Sequence, residues 1–175
     1  LGDGTSVNRN SPVSVITNGV LNGKKIISIS AGSYHSLALD ENGFVYGWGE
    51  NIFDQLGDGT SVNRNSPVSV LTNGVLNGKK IISISAGWYY SIALHNNGYV
   101  YSWGYNLYCQ LGDGTNIDRN SPVYVSTNGV LNGKKIISIS AGDNQNLALD
   151  NNGFVYSWGN NEHVHLRDVW SCRRS

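Results

Sequence analysis

Residues 24–49 read KKIISISAGSYHSLALDENGFVYGWG, and closely similar stretches follow at 79–104 and 134–159. The spacing is 55 residues both times, so the whole chain is a tandem array. A period of this length is longer than the ~40–45 residues of a WD40 blade and far from the ~34 residues of helical-pair repeats. Because a single small unit cannot bury its apolar face alone, we expect neighbouring units to pack against each other.

Each unit predicts three short strands joined by tight turns. Residues 24–32 are rich in β-branched side chains and end at a glycine, which is typical of a strand. Residues 36–40 and 44–49 are two further runs of strand type. Asn42-Gly43 lies between these two runs. An Asn-Gly pair at such a place is a strong hairpin signal, because both residues tolerate a positive φ.

A fourth strand is predicted after a long loop. This loop is rich in Gly, Asp and Asn and leads through Pro67 to Val68-Ser69-Val70. Proline lacks a backbone donor, so we expect this strand at the outer edge of its sheet. The small Ser and Ala side chains of residues 24–32 suit a crowded central axis, and we place that strand innermost. Four antiparallel strands in this order, repeated head to tail, predict an all-β fold of β-propeller blades.

Three recurring motifs carry a family resemblance. They are Ser-Ala-Gly with Ser-Leu-Ala-Leu from Ser30, Asn-Gly-Phe-Val-Tyr from Asn42, and Gln-Leu-Gly-Asp-Gly-Thr from Gln55. With few changes they return in the same order, and they resemble the repeats of the regulator of chromosome condensation family. The resemblance implies blades of a seven-bladed propeller that binds proteins with its faces. Family members include nucleotide exchange factors for small GTPases and modules of large ubiquitin ligases, so the resemblance does not name a partner.

The chain divides into an array and a short tail. The repeats are 1–55, 56–110 and 111–161, and in 162–175 the pattern decays into a degenerate linker or a disordered tail. The third blade lacks a fourth strand, and Val13-Ser14-Val15 is a predicted strand without a blade of its own. Three blades cannot close a ring. We therefore expect an open three-blade arc or a fragment of a seven-bladed propeller, whose open blade edges allow self-association.

The composition limits the classes of partner. Twelve Lys and Arg residues balance twelve Asp and Glu residues, and charged residues are only 14% of the chain. This balance disfavours nucleic acid or chromatin, without excluding either, and argues against a membrane surface. No apolar run approaches the ~18–20 residues of a membrane span. Two cysteines are too few for a disulfide framework, and we expect a cytoplasmic or nuclear protein.

The loops of each blade fall at two ends, because successive strands alternate in direction. The end with the Asn-Gly hairpins and the connection at 73–78 barely changes between copies. At the other end Ser-Tyr-His at 33–35 becomes Trp-Tyr-Tyr at 88–90 and Asp-Asn-Gln at 143–145. Trp and Tyr are favoured anchors at protein interfaces. The predicted partner-binding residues at this end are Tyr34, His35, Phe53, Trp88, Tyr89, Tyr90, Tyr105, Tyr108, Asp143, Asn144 and Gln145.

Other repeated residues predict structural roles. Trp48, Trp103 and Trp158 recur with the blade, and we expect them in the core between blades. Asp and Arg recur six residues apart in each long loop, as in Asp58 and Arg64, which predicts ion pairs or turn caps that fix the loop. For the variable aromatic residues, the alternative to partner binding is relaxed loop sequence with some rings packed between blades.

No pattern supports catalysis. The four histidines have no recurring Ser, Cys or carboxylate partner at the spacing of a catalytic triad. Glu162, His163, His165 and Cys172 could be imagined as zinc ligands, but they lie in the decayed tail and we attribute their proximity to chance. We therefore expect no catalytic residue, no cofactor and no metal site.

The leading functional hypothesis is a non-catalytic protein–protein interaction module. Its partner is a protein, with a small GTPase as one candidate, and the contact is made by the loop end that carries Trp88, Tyr89 and Tyr90. Two alternatives remain. One is a nucleotide exchange factor for a small GTPase, although the equal 55-residue spacing of the copies leaves no protruding insertion. The other is a fragment without independent function.

Overall fold

A computed structural model describes residues 1–162, and residues 163–175 lie outside the described part. The described part contains eleven β-strands and no helix. The strands are β1 Ile26–Ala31, β2 His35–Asp40, β3 Val45–Gly49, β4 Arg64–Ser69, β5 Ile81–Ala86, β6 Tyr90–His95, β7 Val100–Gly104, β8 Arg119–Tyr124, β9 Ile136–Ala141, β10 Gln145–Asp150 and β11 Val155–Gly159.

The strands form three antiparallel sheets, which we call blades 1, 2 and 3. Their orders are β1-β2-β3-β4, β5-β6-β7-β8 and β9-β10-β11, with three strands in the third among the described residues. The register repeats with the sequence, since Ser36 lies opposite Trp48 in blade 1 and Ser91 lies opposite Trp103 in blade 2. The predicted all-β architecture of antiparallel propeller blades is confirmed.

The Asn-Gly hairpin of blade 1 is closed by a buried carboxylate. Gly43 has a φ of 92°, as the hairpin prediction requires. Asp40 Oδ1 accepts hydrogen bonds from the backbone N–H groups of Asn42 at 3.0 Å and Phe44 at 2.9 Å. Asp40 Oδ2 accepts a third from the Tyr46 hydroxyl at 3.0 Å. Asp40 is fully buried, so these bonds replace the water that the carboxylate loses.

Two details of the strand prediction are corrected. The outer strand was expected over Pro67–Val70, but β4 begins at Arg64, because Arg64 already lies opposite Gly49 of β3. The predicted strand at 13–15 is not a strand in the structure. Its counterparts pair with the third strand of the preceding repeat, whereas residues 1–25 of the structure contain no strand.

The blades pack face to face through side chains that alternate along the strands. Leu37 and Leu39 of blade 1 form one core cluster with Ile84 and Trp103 of blade 2. Trp103 is fully buried, and its indole N–H donates a hydrogen bond to the Gln55 carbonyl at 2.9 Å. Two further clusters join blades 2 and 3 in the same way. Trp103 and Trp158 thus lie in the core between blades as predicted, whereas Trp48 is buried beside Gly2 of the first loop and belongs to none of these clusters.

The first strands of the blades contact one another directly. The Ala86 N–H donates a hydrogen bond to Ser30 Oγ at 3.0 Å, and the Ala141 N–H donates one to Ser85 Oγ at 3.0 Å. Each of these strands is also the edge of its sheet. Small side chains thus lie at the crowded inner edge, where the sequence analysis placed them.

The outward faces of blades 1 and 3 carry apolar side chains without a neighbouring blade. Ile29 of blade 1 is 77% exposed, whereas Ile84 at the equivalent position of blade 2 is 7% exposed. Leu147 of blade 3 is 48% exposed, whereas its counterpart Ile92 in blade 2 is fully buried. Both end faces of the three-blade arrangement are therefore open.

Three expectations concern the tail, membranes and metals. The predicted tail at 162–175 lies outside the described residues except for Glu162, as do the other three imagined zinc ligands. Within residues 1–162 no helix is long and apolar enough to cross a membrane. The same residues contain no group of three or more His, Cys, Asp or Glu side chains that could hold a metal ion.

Candidate functional site

Two loops of each blade meet at the end opposite the Asn-Gly hairpins. In blade 1 they are the β1–β2 loop at 32–34 and the long loop at 50–63 after β3. In blade 2 they are residues 87–89 and 105–118. Because the two blades pack face to face, these four loops lie side by side.

Six aromatic rings from these loops form one continuous cluster, which we call the aromatic surface. Tyr34 stacks on Tyr89 with ring centroids 5.0 Å apart and planes 6° apart, and Trp88 contacts the same tyrosine at 5.0 Å. Phe53 lies 4.8 Å from Tyr89 and 4.8 Å from Tyr105. The chain of contacts ends at Tyr108, 6.2 Å from Tyr105. The structure thus brings together Tyr34, Phe53, Trp88, Tyr89, Tyr105 and Tyr108.

The aromatic surface is open to solvent. Tyr34 is 51% exposed and Trp88 is 37% exposed, while the other four rings are partly buried against their neighbours. Ile52 and Leu107 are exposed beside Phe53 and Tyr108, and the sequence analysis missed both. They occupy equivalent positions in the two copies. The sequence signal that could have identified them is an apolar residue at the same loop tip in both copies.

His35 and Tyr90 are corrected from surface residues to residues between blades. His35 is almost fully buried, and its Nε2 lies 2.9 Å from Ser91 Oγ of blade 2. Tyr90 is fully buried, and its hydroxyl donates to the Gln145 carbonyl at 2.8 Å. Both residues begin a strand and share its face with buried aliphatic residues two and four positions later, which are Leu37 and Leu39 after His35 and Ile92 and Leu94 after Tyr90, so they point at the next blade. Neither side chain is available to a partner.

The protonation state of His35 follows from its surroundings. The Ser91 hydroxyl donates to the Gln55 carbonyl at 2.8 Å, so His35 Nε2 must carry the proton that Ser91 Oγ accepts. His35 Nδ1 is buried and has no hydrogen-bond partner among residues 1–162. Burial lowers the pKa of His35 to about 4, because the charged imidazolium would lose its hydration. The ring is therefore neutral near pH 7.

The predicted residues of the third copy have mixed positions. The Asp143 carbonyl accepts a hydrogen bond from the Trp88 N–H at 3.2 Å, and the Asp143 side chain is exposed next to the aromatic surface. Asn144 Oδ1 accepts one from Gln110 Nε2 at 3.2 Å. Since the Gln145 carbonyl holds Tyr90, residues 143–145 join blade 3 to blade 2 and contribute no ring to the cluster.

A buried asparagine fixes the long loop that carries Phe53. Asn51 is fully buried, and its Nδ2 donates to the Thr60 carbonyl at 2.6 Å and to Asp58 Oδ1 at 3.2 Å. Asn51 Oδ1 accepts from the Leu56 N–H at 2.8 Å. Asn106 occupies the same place in blade 2 and makes equivalent bonds. The loop tips are therefore held on a hydrogen-bonded base.

The predicted Asp–Arg ion pairs are present in each of the three long loops within residues 1–162. An Arg64 terminal nitrogen lies 2.8 Å from Asp58 Oδ2, and the pairs Asp3–Arg9 and Asp113–Arg119 repeat this contact. Hydrogen bonds from Arg9 and Thr5 lower the pKa of Asp3 to about 2. Burial alone would raise the pKa of Asp58, but hydrogen bonds from Thr60 and Arg64 outweigh it and lower the pKa.

A glutamine beneath the aromatic surface lacks one hydrogen bond. Between blades 2 and 3, Gln110 Nε2 donates to Asn144 Oδ1. Between blades 1 and 2 the equivalent Gln55 Nε2 is buried without a partner in the described part of the chain, because Tyr89 stands where the third copy has Asn144. An unpaired buried amide costs roughly 1–3 kcal/mol.

Carboxylates surround the aromatic surface. Partial burial raises the pKa of Tyr89, and neighbouring Tyr34 and the negative charge of Glu50 raise it further. Burial also raises the pKa of Asp118, and repulsion from Asp54 adds to the shift. The pairs of lysines lie with the Asn-Gly hairpins at the opposite end, where Lys25 contacts Glu41 at 3.6 Å. The chemistry that this arrangement offers is aromatic contact in an acidic setting.

Comparison with known proteins identifies the repeats. The family profile described as "Regulator of chromosome condensation (RCC1) repeat" matches residues 1–39, 42–94 and 97–149. A second profile of the same description matches 26–55, 81–110 and 136–163. Each profile matches the chain three times, and together the matches cover most of its residues.

The individual relatives are much longer proteins than this chain. The human E3 ubiquitin-protein ligase HERC2 is 36% identical over 146 residues, which are 82% of this chain and 3% of HERC2. The structure of human WBSCR16 matches with a TM-score of 0.76 and 25% identity, over 90% of this chain and 39% of that one. The structure of Prp20p from Saccharomyces cerevisiae matches with a TM-score of 0.70 and 32% identity, over 83% of this chain and 35% of that one. This chain thus spans a minor part of each.

Proposed function

Because this chain belongs to the regulator of chromosome condensation (RCC1) repeat family, we propose that it is a non-catalytic interaction module that binds a folded partner protein through the aromatic surface. The observation that carries the proposal is the continuous cluster of six rings from two blades, with Tyr34 and Trp88 open to solvent. Contiguous exposed apolar surface on a protein marks an interaction site. We place this activity in the cytoplasm or nucleus.

The unpaired glutamine gives a second argument. A relaxed loop has no reason to keep a ring that leaves the buried Gln55 amide without an acceptor, when Asn at the same position of the third copy supplies one. Tyr89 contacts four other rings of the aromatic surface. The ring at 89 therefore organises the surface at a cost to the junction beneath it, which is what a binding residue does.

The test compares partner capture by three purified proteins. Wild-type chain, Tyr89→Asn and Tyr99→Asn are immobilised, proteins retained from cell extract are identified, and the affinity of the recovered partner is measured by calorimetry. We expect Tyr89→Asn to weaken binding at least about tenfold, because central aromatic residues dominate interface energies. Tyr99 is a half-exposed tyrosine at the Asn-Gly end, so Tyr99→Asn is the control and should bind like wild type. Equal binding by the two variants would overturn the proposal.

The second candidate function is nucleotide exchange on a small GTPase. It is favoured by the 32% identity to Prp20p, whose structure was reported together with its binding properties to Gsp1p and histones. The copies keep one 55-residue spacing, so no loop protrudes as an added element toward a nucleotide site. The assay follows release of a fluorescent guanine nucleotide from small GTPases with and without the chain. We expect no acceleration of nucleotide release. A clear acceleration would favour nucleotide exchange over simple protein binding as the function.

A further inference from the structure

We propose that the aromatic surface recognises a positively charged segment of its protein partner, with an Arg or Lys side chain packed against the exposed rings. This inference rests on the proposed function, since it names the chemistry of the partner at the same surface. It follows from how charge is distributed over the molecule.

The formal net charge of zero conceals two ends of opposite character. Every lysine of the chain lies at the Asn-Gly end, in the pairs 24–25, 79–80 and 134–135. At the end with the aromatic surface, the basic side chains among residues 1–162 are Arg9, Arg64 and Arg119. Each of these arginines is already bound to an aspartate within its own loop. That end therefore offers no unpaired cation in the described part of the chain.

Four further carboxylates at the same end have no ion-pair partner among residues 1–162: Glu50, Asp54, Asp118 and Asp143. Glu50 lies close enough to Tyr89 to raise the pKa of its phenol, and Asp118 does the same to Tyr105. Asp54 and Asp118 lie close enough to repel each other, which adds to the raised pKa of Asp118. Asp143 is exposed beside Trp88. The negative potential of these groups attracts a basic segment and repels an acidic one.

The rings themselves complement a cation. A cation over an aromatic face within about 6 Å gains roughly 0.5–2 kcal/mol, most over Trp. At the Asn-Gly end the protein fills this role internally, with Lys24 Nζ 5.6 Å from the Phe44 ring centre and Lys134 Nζ 5.5 Å from the Phe154 ring centre. In residues 1–162 no Lys or Arg lies over a ring of the aromatic surface. These rings are left for a cation that the partner supplies.

A neutral apolar segment fits the same place less well. It would bury the rings but also strip water from Glu50 and Asp143 without returning a charge, which is unfavourable. A guanidinium can stack on a ring and donate to a carboxylate at the same time. The combination of flat rings and a carboxylate rim therefore selects for basic residues, and for Arg above Lys.

The experiment uses four fluorescein-labelled synthetic peptides of ten residues with the full chain. They alternate Ser with Arg, Lys, Glu or Leu, and binding is followed by fluorescence anisotropy at low and high salt. We expect the Arg peptide to bind best and the Lys peptide more weakly. We also expect affinity to fall with added salt, because opposite charges attract across water. Tighter binding of the Leu or Glu peptide than of the Arg peptide would overturn the inference.

Matched variants locate the binding. Glu50→Gln and Asp143→Asn should each weaken the Arg peptide about threefold at low salt, as expected for exposed charge pairs. Glu41→Gln removes an exposed carboxylate at the opposite end and should change nothing. Trp88→Ala should weaken the peptide about fivefold through lost cation–π contact. An equal effect of Glu41→Gln would place the peptide elsewhere and contradict the inference.

The outcomes separate this inference from the proposed function. If the Arg peptide does not bind, while Tyr89→Asn still abolishes capture of the natural partner, the surface binds protein but not by basic residues. If Tyr89→Asn leaves both the Arg peptide and the natural partner bound, the inference and the proposed function both fail.

Discussion

Tyr89 and Tyr90 are neighbours in the chain, yet Tyr89 joins the aromatic surface and Tyr90 is fully buried between blades. The same division separates Tyr34 from His35 in blade 1. At the scale of the residue, the ring proposed to bind and the side chain that packs between blades therefore occupy adjacent positions where loop becomes strand. The sequence carried this signal, since His35, Leu37 and Leu39 alternate as one strand face.

The two adjacent tyrosines predict opposite stability effects. Tyr90→Ala removes a buried ring and its hydrogen bond to the Gln145 carbonyl, and should lower the free energy of unfolding by about 3–5 kcal/mol. Tyr89→Asn loses surface ring contacts but gives Gln55 Nε2 an acceptor, so its change should stay within about 1 kcal/mol. Urea unfolding measures both, and a larger loss for Tyr89→Asn than for Tyr90→Ala would show the assignment to be wrong.

The buried His35 predicts a pH dependence of stability. Its pKa is lowered from 6.5 in the unfolded chain to about 4 in the folded protein, so the unfolded state binds the proton more readily. The stabilisation is present above pH 6.5 and is lost as the pH falls toward 4, at up to ~1.4 kcal/mol per pH unit. The pKa of His95 is also lowered by burial and adds in the same direction.

The control for this titration is His35→Gln, which places the residue of the third copy at the same position of the first. Urea unfolding between pH 7 and 4 should show a shallower loss of stability for this variant, with His95 contributing to the slope that remains. Identical slopes for wild type and variant would mean that His35 is not the buried titrating group.

At the scale of the element, the long loops both link the blades and hold the aromatic surface. Gln55 accepts the Trp103 indole N–H through its carbonyl, while Asn51 fixes the loop from within. The strands and Asn-Gly turns were predictable because they rest on local patterns of β-branched residues and turn formers. The start of β4 was not, since it depends on the pairing of Arg64 with Gly49 across the loop.

A glycine of the long loop predicts a specific defect. Gly57 has a φ of 62°, and a Cβ there would lie 2.8 Å from Trp103 Nε1. Gly57→Ala should therefore combine left-handed strain of about 1–2 kcal/mol with a further ~1–3 kcal/mol from displacement of the tryptophan. The matched control is Gly78→Ala, which has a φ of 65° and no atom within 4 Å of the new Cβ. The melting temperature of Gly57→Ala should lie well below that of Gly78→Ala. Equal melting temperatures would show that Gly57 does not pack against Trp103.

At the scale of the whole molecule, each blade is stabilised by its neighbour, so equivalent positions differ according to what lies beside them. Leu37 is fully buried against blade 2, whereas Leu147 faces outward from blade 3. The repeat pattern predicted this arrangement, including the open end faces. The sequence also predicted which loops share an end and that Asp and Arg pair in each long loop. It did not show which carboxylates remain unpaired beside the aromatic rings, because that depends on contacts between loops of different blades.

The open ends predict unequal responses to the same substitution. Leu37→Ala should lower the free energy of unfolding by about 2–5 kcal/mol, as for other fully buried leucines. Leu147→Ala changes the same position of the repeat and should cost less than about 1 kcal/mol, because the side chain is half exposed. Urea unfolding measures both changes in the free energy of unfolding. Equal losses for the two variants would mean that the outward face of blade 3 is covered in solution.

We propose above that a partner protein binds to the aromatic surface. Hydrogen–deuterium exchange of the chain, alone and saturated with the captured partner, locates the contact. We expect slower exchange on binding in the loops at 32–34, 50–54, 87–89 and 105–108, with no change in the connection at 73–78 at the opposite end. Protection confined to 73–78 and the hairpins beside it, with the four loops unchanged, would show that the partner binds elsewhere.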